Sequence, residues 1–326
     1  MQIDKAPSPW AGRDDGPGCE HERWYNRVQL LAGLSDIDAD AVTLGFASDE
    51  GVARNLGRVG AAAGPATLRA ALATLALGSA HRDIALADAG DIEVTDSDLE
   101  GGQERLGCAV ATLIDAGSLP LVLGGGHEVA FGTYSGVASS QLRQNQGQPL
   151  KLGILNLDAH FDLRQAARPS SGTPFRQALE AEKAAGTQAY YAVIGIAQPA
   201  NTQVLFDTAH EYGVRYLLDE EAQLGNLPQV ESFVENFLAD IDVLYLTLDL
   251  DALPAAVAPG VSAPAAYGIP LEVVLAVIKQ VAASGKLLAF DVAELNPGFD
   301  IDGRTAKTAA RIIHTLLTHY QAYTRK

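Results

Sequence analysis

The sequence predicts a single α/β domain of three layers, built on a mostly parallel, doubly wound sheet. Two observations carry this. Short runs that are apolar throughout, rather than alternating, recur along the chain, as expected for strands covered on both faces. Longer amphipathic stretches separate them, and strand–helix–strand alternation leads to parallel pairing with helices on both sides. At 326 residues and 48% hydrophobic content the chain has enough apolar material for such a core.

The elements follow in order. AVTLGFA (41–47) is the first strand, and a helix near 65–78 accepts Pro65 in its first turn. DIALAD (83–88) and LPLVLG (119–124) are strands on either side of a helix at 100–116. KLGILNL (151–157) and AYYAVIGI (189–196) come next, then a helix at 200–212 and the short strand VRYLL (214–218). A helix at 229–239 leads to DVLYLTLDL (242–250). The Pro- and Ala-rich segment 254–268 is too broken for either element and reads as an ordered loop. A helix at 270–284, opened by Pro270, precedes KLLAFDV (286–292), and a last helix covers 304–322. Its broad apolar face can pack on the body or on a neighbouring subunit, which leaves association into a homo-oligomer open. Residues 1–38, rich in Pro, Gly and Asp at their start, read as a peripheral arm, and 39–326 as the catalytic domain.

A net charge of −17 excludes a nucleic-acid partner, because phosphate binding needs a basic face. No run approaches the roughly 20 apolar residues of a membrane span, and the amino terminus lacks the apolar core of a secretory signal. Cys19 and Cys108 have no partners at metal-site spacing and read as free thiols of a cytoplasmic protein. The partner expected is a small molecule.

Four stretches concentrate chemistry at strand ends. LVLGGGHE places His127 just past one strand, and ILNLDAHFD places Asp158, His160 and Asp162 past the next. YLTLDLDALP brings Asp249 and Asp251, and LLAFDVAELNP brings Asp291 and Glu294. Ligand sites of open α/β sheets form outside the carboxyl ends of the strands, so these side chains share one rim. Alternate positions in extended backbone point the same way, which predicts that 158, 160 and 162 converge. Alone, DxHxD could cap a helix, GGGHE could be a tight turn, and DLD a polar strand end. Together they crowd carboxylates that would repel and stay protonated without cations. Four carboxylates and two imidazoles, with no sulfur, suit hard divalent ions such as Mn²⁺, and six ligands suit a bridged pair that activates water. The other histidines, His21, His81, His210, His314 and His319, lack this context and read as surface or helix residues.

These motifs resemble the ureohydrolase family of arginases, agmatinases and formimidoylglutamases, from GVARNLGRVGAAAGPATLRAAL (51–72) through GGGHE, DAHFD and DLDAL to AELNP. The resemblance implies an arginase-like fold and two Mn²⁺ ions. It assigns His127, Asp158, Asp162 and Asp249 to one ion and Asp158, His160, Asp249 and Asp251 to the other. The chain departs from the guanidine-cleaving branches: it reads GGGHE for their GGDHS, lacks the third Asp of DxDxxDP, and has no His between His160 and His210. DAHFDLR…PSSGTPFRQ is instead similar to the formimidoylglutamase branch, which hydrolyses N-formimidoyl-L-glutamate to glutamate and formamide in histidine degradation. A dicarboxylate needs arginines. Arg164, Ser171 and Arg176 are the substrate-binding candidates, with Arg168 balancing the loop's acids. Glu294 is expected to pair with the amidinium, and Asp162 or Asp251 to protonate the leaving amine. Another amidino- or guanidino-acid hydrolase, or a metal-stabilised binding protein without turnover, would share many of these residues.

Overall fold

The computed structural model describes residues 3–35, 37–78 and 84–324. His81 and Asp83, the first residue of the strand expected at 83–88, lie outside them. Among the described residues nine strands form one sheet: Gln29–Leu30 (β1), Ala41–Ala47 (β2), Leu86–Glu93 (β3), Leu119–Leu123 (β4), Leu152–Leu157 (β5), Ala189–Ile196 (β6), Arg215–Leu218 (β7), Val243–Asp249 (β8) and Leu287–Ala293 (β9). Their order is β1-β3-β2-β4-β9-β8-β5-β6-β7, with every pairing parallel. The chain builds outward from β2, jumps from β4 to β5, and later inserts β8 and β9 between them. That central reversal of direction is where α/β sheets place ligand sites.

The helices are Trp24–Arg27 (α1), Glu50–Arg54 (α2), Gly64–Ala73 (α3), Leu99–Asp115 (α4), Val129–Ser139 (α5), Gln141–Gln144 (α6), Pro174–Ala185 (α7), Gln203–Glu211 (α8), Leu227–Ala239 (α9), Leu271–Ala282 (α10) and Arg304–His319 (α11). Alternation along the strands sends side chains to two separate cores. Leu121, Leu155, Leu246 and Phe290 meet α3, α9, α10 and α11 on one face. Leu44, Val122, Ile154 and Tyr245 meet α4, α5, α7 and α8 on the other. The three-layer architecture is therefore as expected. The apolar face of α11 is buried in its own core through Ile312, Ile313, Leu316 and Leu317. None of the helices of the described residues is long and apolar enough to cross a membrane.

Several elements differ from expectation. β3 runs five residues past the expected strand, through Asp91 to Glu93, because Arg69 of α3 pairs with Asp88 and Asp91 inside the fold. α5 was hidden because it is packed against α4, α7 and the sheet, and so has no polar face to give it a period. α7 begins at Pro174 and stops at Gly186, whose φ of 70° terminates it. In the amino-terminal stretch, β1 adds an edge strand to β3, and Trp24 is fully buried, its indole N–H on His314 Nδ1 at 3.1 Å.

Candidate metal centre

Four adjacent central strands, β4, β9, β8 and β5, end at one cavity of about 310 Å³, lined by His127, His160, Asp162, Asp249, Asp251 and Glu294. The glycines before His127 are required by contact, not by positive φ. A Cβ on Gly125 would lie 1.7 Å from the Ser48 carbonyl oxygen, and one on Gly126 would lie 2.2 Å from Glu128 Oε2. The turn can therefore press against the segment after β2 only without side chains.

His127 Nδ1 lies 2.9 Å from Asp162 Oδ2 and 3.2 Å from both Asp158 Oδ2 and Asp249 Oδ2. It nevertheless makes no properly directed hydrogen bond and is fully buried. Its other nitrogen meets Thr247 Oγ1 at 2.9 Å, which fixes the ring. An imidazole nitrogen orphaned among three carboxylates is what a cation-binding centre requires. His160 Nδ1 stands 3.1 Å from Asp251 Oδ2 and 3.4 Å from Asp158 Oδ1. The ligand atoms fall into two clusters, His127–Asp158–Asp162 and Asp158–His160–Asp251, with Asp158 common to both. Asp249 faces the first cluster through Oδ2, while its Oδ1 accepts the Asp251 backbone N–H at 2.8 Å. The donor set fits two hard divalent ions.

The convergence does not arise from extended backbone. β5 ends at Leu157, the chain bends at residues 159–160, and Asp162 has φ 50°. Asp251 sits in a 3-10 turn (Leu250–Ala252) for which Asp249 is the cap. Bends and turns, not strand alternation, turn Asp162 and Asp251 inward, whereas Asp249 points in from the end of β8. Asn156, one pleat earlier on β5, donates to Asp158 Oδ2 at 2.9 Å and so orients the shared carboxylate. Asp291 does not reach the rim. It is buried within β9, accepting from the Tyr245 hydroxyl at 2.5 Å.

Burial dominates the electrostatics. It raises Asp162 to about 6, with help from the Asp158 charge, and lifts Asp249 well above the carboxylate range together with Asp251 and Asp158. Asp251 is raised by the same burial. Asp158 goes the other way: burial opposes its ionisation, and the two imidazoles outweigh it. Burial also works to discharge both histidines, but their carboxylate neighbours hold them well above the usual range. Glu294 accepts the His127 backbone N–H on Oε1 at 2.9 Å, leaving buried Oε2 without a partner. Burial and the nearby Glu128 push it up to about 8, and its φ of 71° marks backbone held against preference. Glu128, raised by burial to about 7, accepts from Ser48 Oγ and the Gly51 N–H, tying the segment after β2 to the His127 turn.

Of the arginines and serine expected to hold substrate, Arg164 and Ser171 line the cavity, with Ser171 Oγ accepting from Asn55 Nδ2 at 3.1 Å. Arg176 is not brought there. It sits on α7, pairs with Glu180 at 2.8 Å, and lines a separate cavity with Arg164 and Arg168. The reason is helical geometry, which turns its side chain to its i+4 partner. Sequence reasoning missed Arg58 and Asn55, both cavity residues within the 51–72 motif. It missed Asn296 too, whose amide donates to the carbonyls of Arg58 and Val59 at 3.0 Å. The AELNP stretch held that signal.

Residues 39–318 match the Arginase family. A formimidoylglutamase of Rhodococcus opacus (strain B4) is 58% identical over 312 residues, 96% of this chain and 95% of that one. A formimidoylglutamase of Ralstonia nicotianae is 48% identical over 314 residues, again 96% and 95%. The crystal structure of Trypanosoma cruzi formiminoglutamase with Mn²⁺₂ superposes with a TM-score of 0.74 at 27% identity, covering 86% of this chain and 93% of that one.

Proposed function

The chain belongs to the arginase family and is a hydrolase of amidino C–N bonds; on that premise we propose that it cleaves N-formimidoyl-L-glutamate to L-glutamate and formamide, using two Mn²⁺ ions, in histidine degradation. The observation that carries this reading is a two-cluster His/Asp centre sharing Asp158, facing a cavity that also holds arginine in a chain of net charge −17. A cation-rich wall has no purpose for a substrate without carboxylates.

His127, Asp158, Asp162 and Asp249 would hold one ion, and Asp158, His160 and Asp251 the other, with Asp249 able to reach toward both. The ions would supply positive charge that activates water at neutral pH and stabilises charge developing on the substrate. The remaining chemistry belongs to the side chains. Glu294 Oε2, buried and unpaired, takes the formamidinium N–H groups and aims the reactive carbon at the floor of the cavity. Arg164 and Ser171, on the turn that follows the ligands, receive the α-carboxylate. Asp162 is better suited than Asp251 to carry the attacking water's proton to the leaving amine. Asp162 Oδ1 has no hydrogen bond among the described residues, whereas both oxygens of Asp251 face Ala159 N–H and His160. Ser171 has no base beside it and serves binding only. The exposed thiols of Cys19 and Cys108 are consistent with a cytoplasmic setting.

The test is a steady-state assay of the manganese-loaded protein with N-formimidoyl-L-glutamate, L-arginine, agmatine and guanidino acids. Formamide release from the first alone supports the reading. Urea from any of the others, or no turnover at all, overturns it.

A further inference from the structure

The substrate proposed above carries two carboxylates, yet only one arginine of its expected pair faces the cavity. The structure supplies another. Arg58 lines the same cavity as Arg164, together with Ser262 and Ala263. Its guanidinium is held in place: Nε donates to the Ser262 carbonyl at 2.9 Å and Nη2 to that of Val261. The plane lies 4.0 Å over the Phe299 ring. Nη1 has no protein partner among the described residues, so a donor edge stays free on a group already immobilised. The backbone is fixed as firmly, because Asn296 grips the carbonyls of Arg58 and Val59, and Arg58 N–H donates to Ser262 Oγ at 2.9 Å. A half-buried, preordered guanidinium loses little entropy when it binds a carboxylate.

Position decides which carboxylate. Arg164 follows Asp162 by two residues and belongs to the turn that carries the ligands. Arg58 is half-buried and packs on Phe299, which is 43% exposed, near Leu56, which is 94% exposed, so it stands at the rim; Arg164 is itself exposed, and only its tether two residues from Asp162 ties it to the inner end. With the formimidoyl carbon on the floor, the α-carboxylate lies one bond from the reacting nitrogen's carbon. The γ-carboxylate lies farther out along the side chain, at rim height. We infer that Arg58 is the specificity residue that pairs with the γ-carboxylate of a dicarboxylic amidine. This rests on the functional reading above and identifies the part of the site that separates an acid side chain from a neutral one.

The experiment compares N-formimidoyl-L-glutamate with N-formimidoyl-L-glutamine, whose γ-carboxylate is an amide, as substrates of the manganese-loaded protein. Loss of one charge-assisted pair costs about 10- to 100-fold. Arg58→Met is expected to lower kcat/KM for the diacid by about that factor, through KM, and to leave the amide within about threefold. Arg58→Lys keeps charge without the fork, and should fall between wild type and Arg58→Met on the diacid alone. Should Arg58→Met fail to fold, Arg58→Lys carries the same comparison. A parallel fall in both substrates, as a purely structural anchor would give, or an unchanged diacid rate, overturns the assignment of Arg58. If wild type releases formamide from neither compound, the functional reading itself falls and this one with it.

Discussion

Asp158→Asn is the most informative single change, because Asp158 alone belongs to both ligand clusters. The side chain is fully buried, and asparagine is nearly isosteric, so packing is kept. Asp158, Asp162, Asp249 and Asp251 carry four negative charges when ionised, matching two divalent cations; the variant carries three. Changes beside a metal typically weaken binding by about 10- to 100-fold, and a shared ligand belongs at or above the upper end. At a manganese concentration of about 100 times the wild-type Kd, binding stabilises wild type by about 2.7 kcal/mol. A variant bound about 100-fold more weakly then sits near its own Kd and gains only about 0.4 kcal/mol by the same relation. The difference of roughly 2.3 kcal/mol corresponds to a gap of about 3 °C in manganese-induced Tm shift for a domain of this size. The metal-free comparison is a control, because the Asp158 charge raises Asp162 and Asp249 but also pairs with the two imidazoles. The measurements are calorimetric Tm with and without manganese, and bound metal by elemental analysis. A variant that binds two ions per chain and shows the wild-type shift would refute the shared-ligand arrangement.

Gly125→Ala places a Cβ 1.7 Å from the Ser48 carbonyl oxygen, so backbone must move. A loss of about 1–3 kcal/mol in urea unfolding is expected, with weaker metal binding; an unchanged midpoint would mean the turn is loosely packed. In the metal-free protein, Asp162 (about 6), Glu128 (about 7) and Glu294 (about 8) all have folded-state pKa values above their ordinary range. Each therefore favours the folded state while protonated and loses that contribution as pH rises through its folded value. Metal-free stability should fall between about pH 4.5 and 8, and Glu294→Gln should flatten the upper part of the curve; a rising curve in urea titrations would contradict this assignment of burial. Arg164→Ala should raise KM for N-formimidoyl-L-glutamate by about 10- to 100-fold. Arg176→Ala, which breaks only a pair with Glu180, should stay within about twofold, because half-exposed ion pairs contribute little. Equal effects of the two substitutions in steady-state assays would show that Arg176 reaches the substrate after all.

The strand ends that carry the site were legible because four apolar runs are each followed closely by acids or histidine. His127, Asp158, His160, Asp162, Asp249 and Asp251 gather at one place in the fold, so this cluster of candidate residues was legible before the fold was known. The way they converge could not, because a period-two pattern describes extended chain, and Asp162 at φ 50° is not extended. β3 hid its length behind Asp88 and Asp91, whose charges are cancelled by Arg69 from another element. α5 hid its period because helices and sheet enclose it.

By itself, then, the sequence determined the layered class and the chemistry of the centre. Both follow from residue type and local position, which burial of apolar runs and ligand preference read directly. Tertiary structure alone decided which arginines line the cavity. Arg176 lies in the stretch that follows the ligands, and its helix turns it away to Glu180. Arg58, about a hundred residues before them in the chain, is carried to the rim by carbonyls at 261 and 262, the Phe299 ring and the Asn296 amide. An arginine's direction depends on partners distant in sequence, and no local pattern records them.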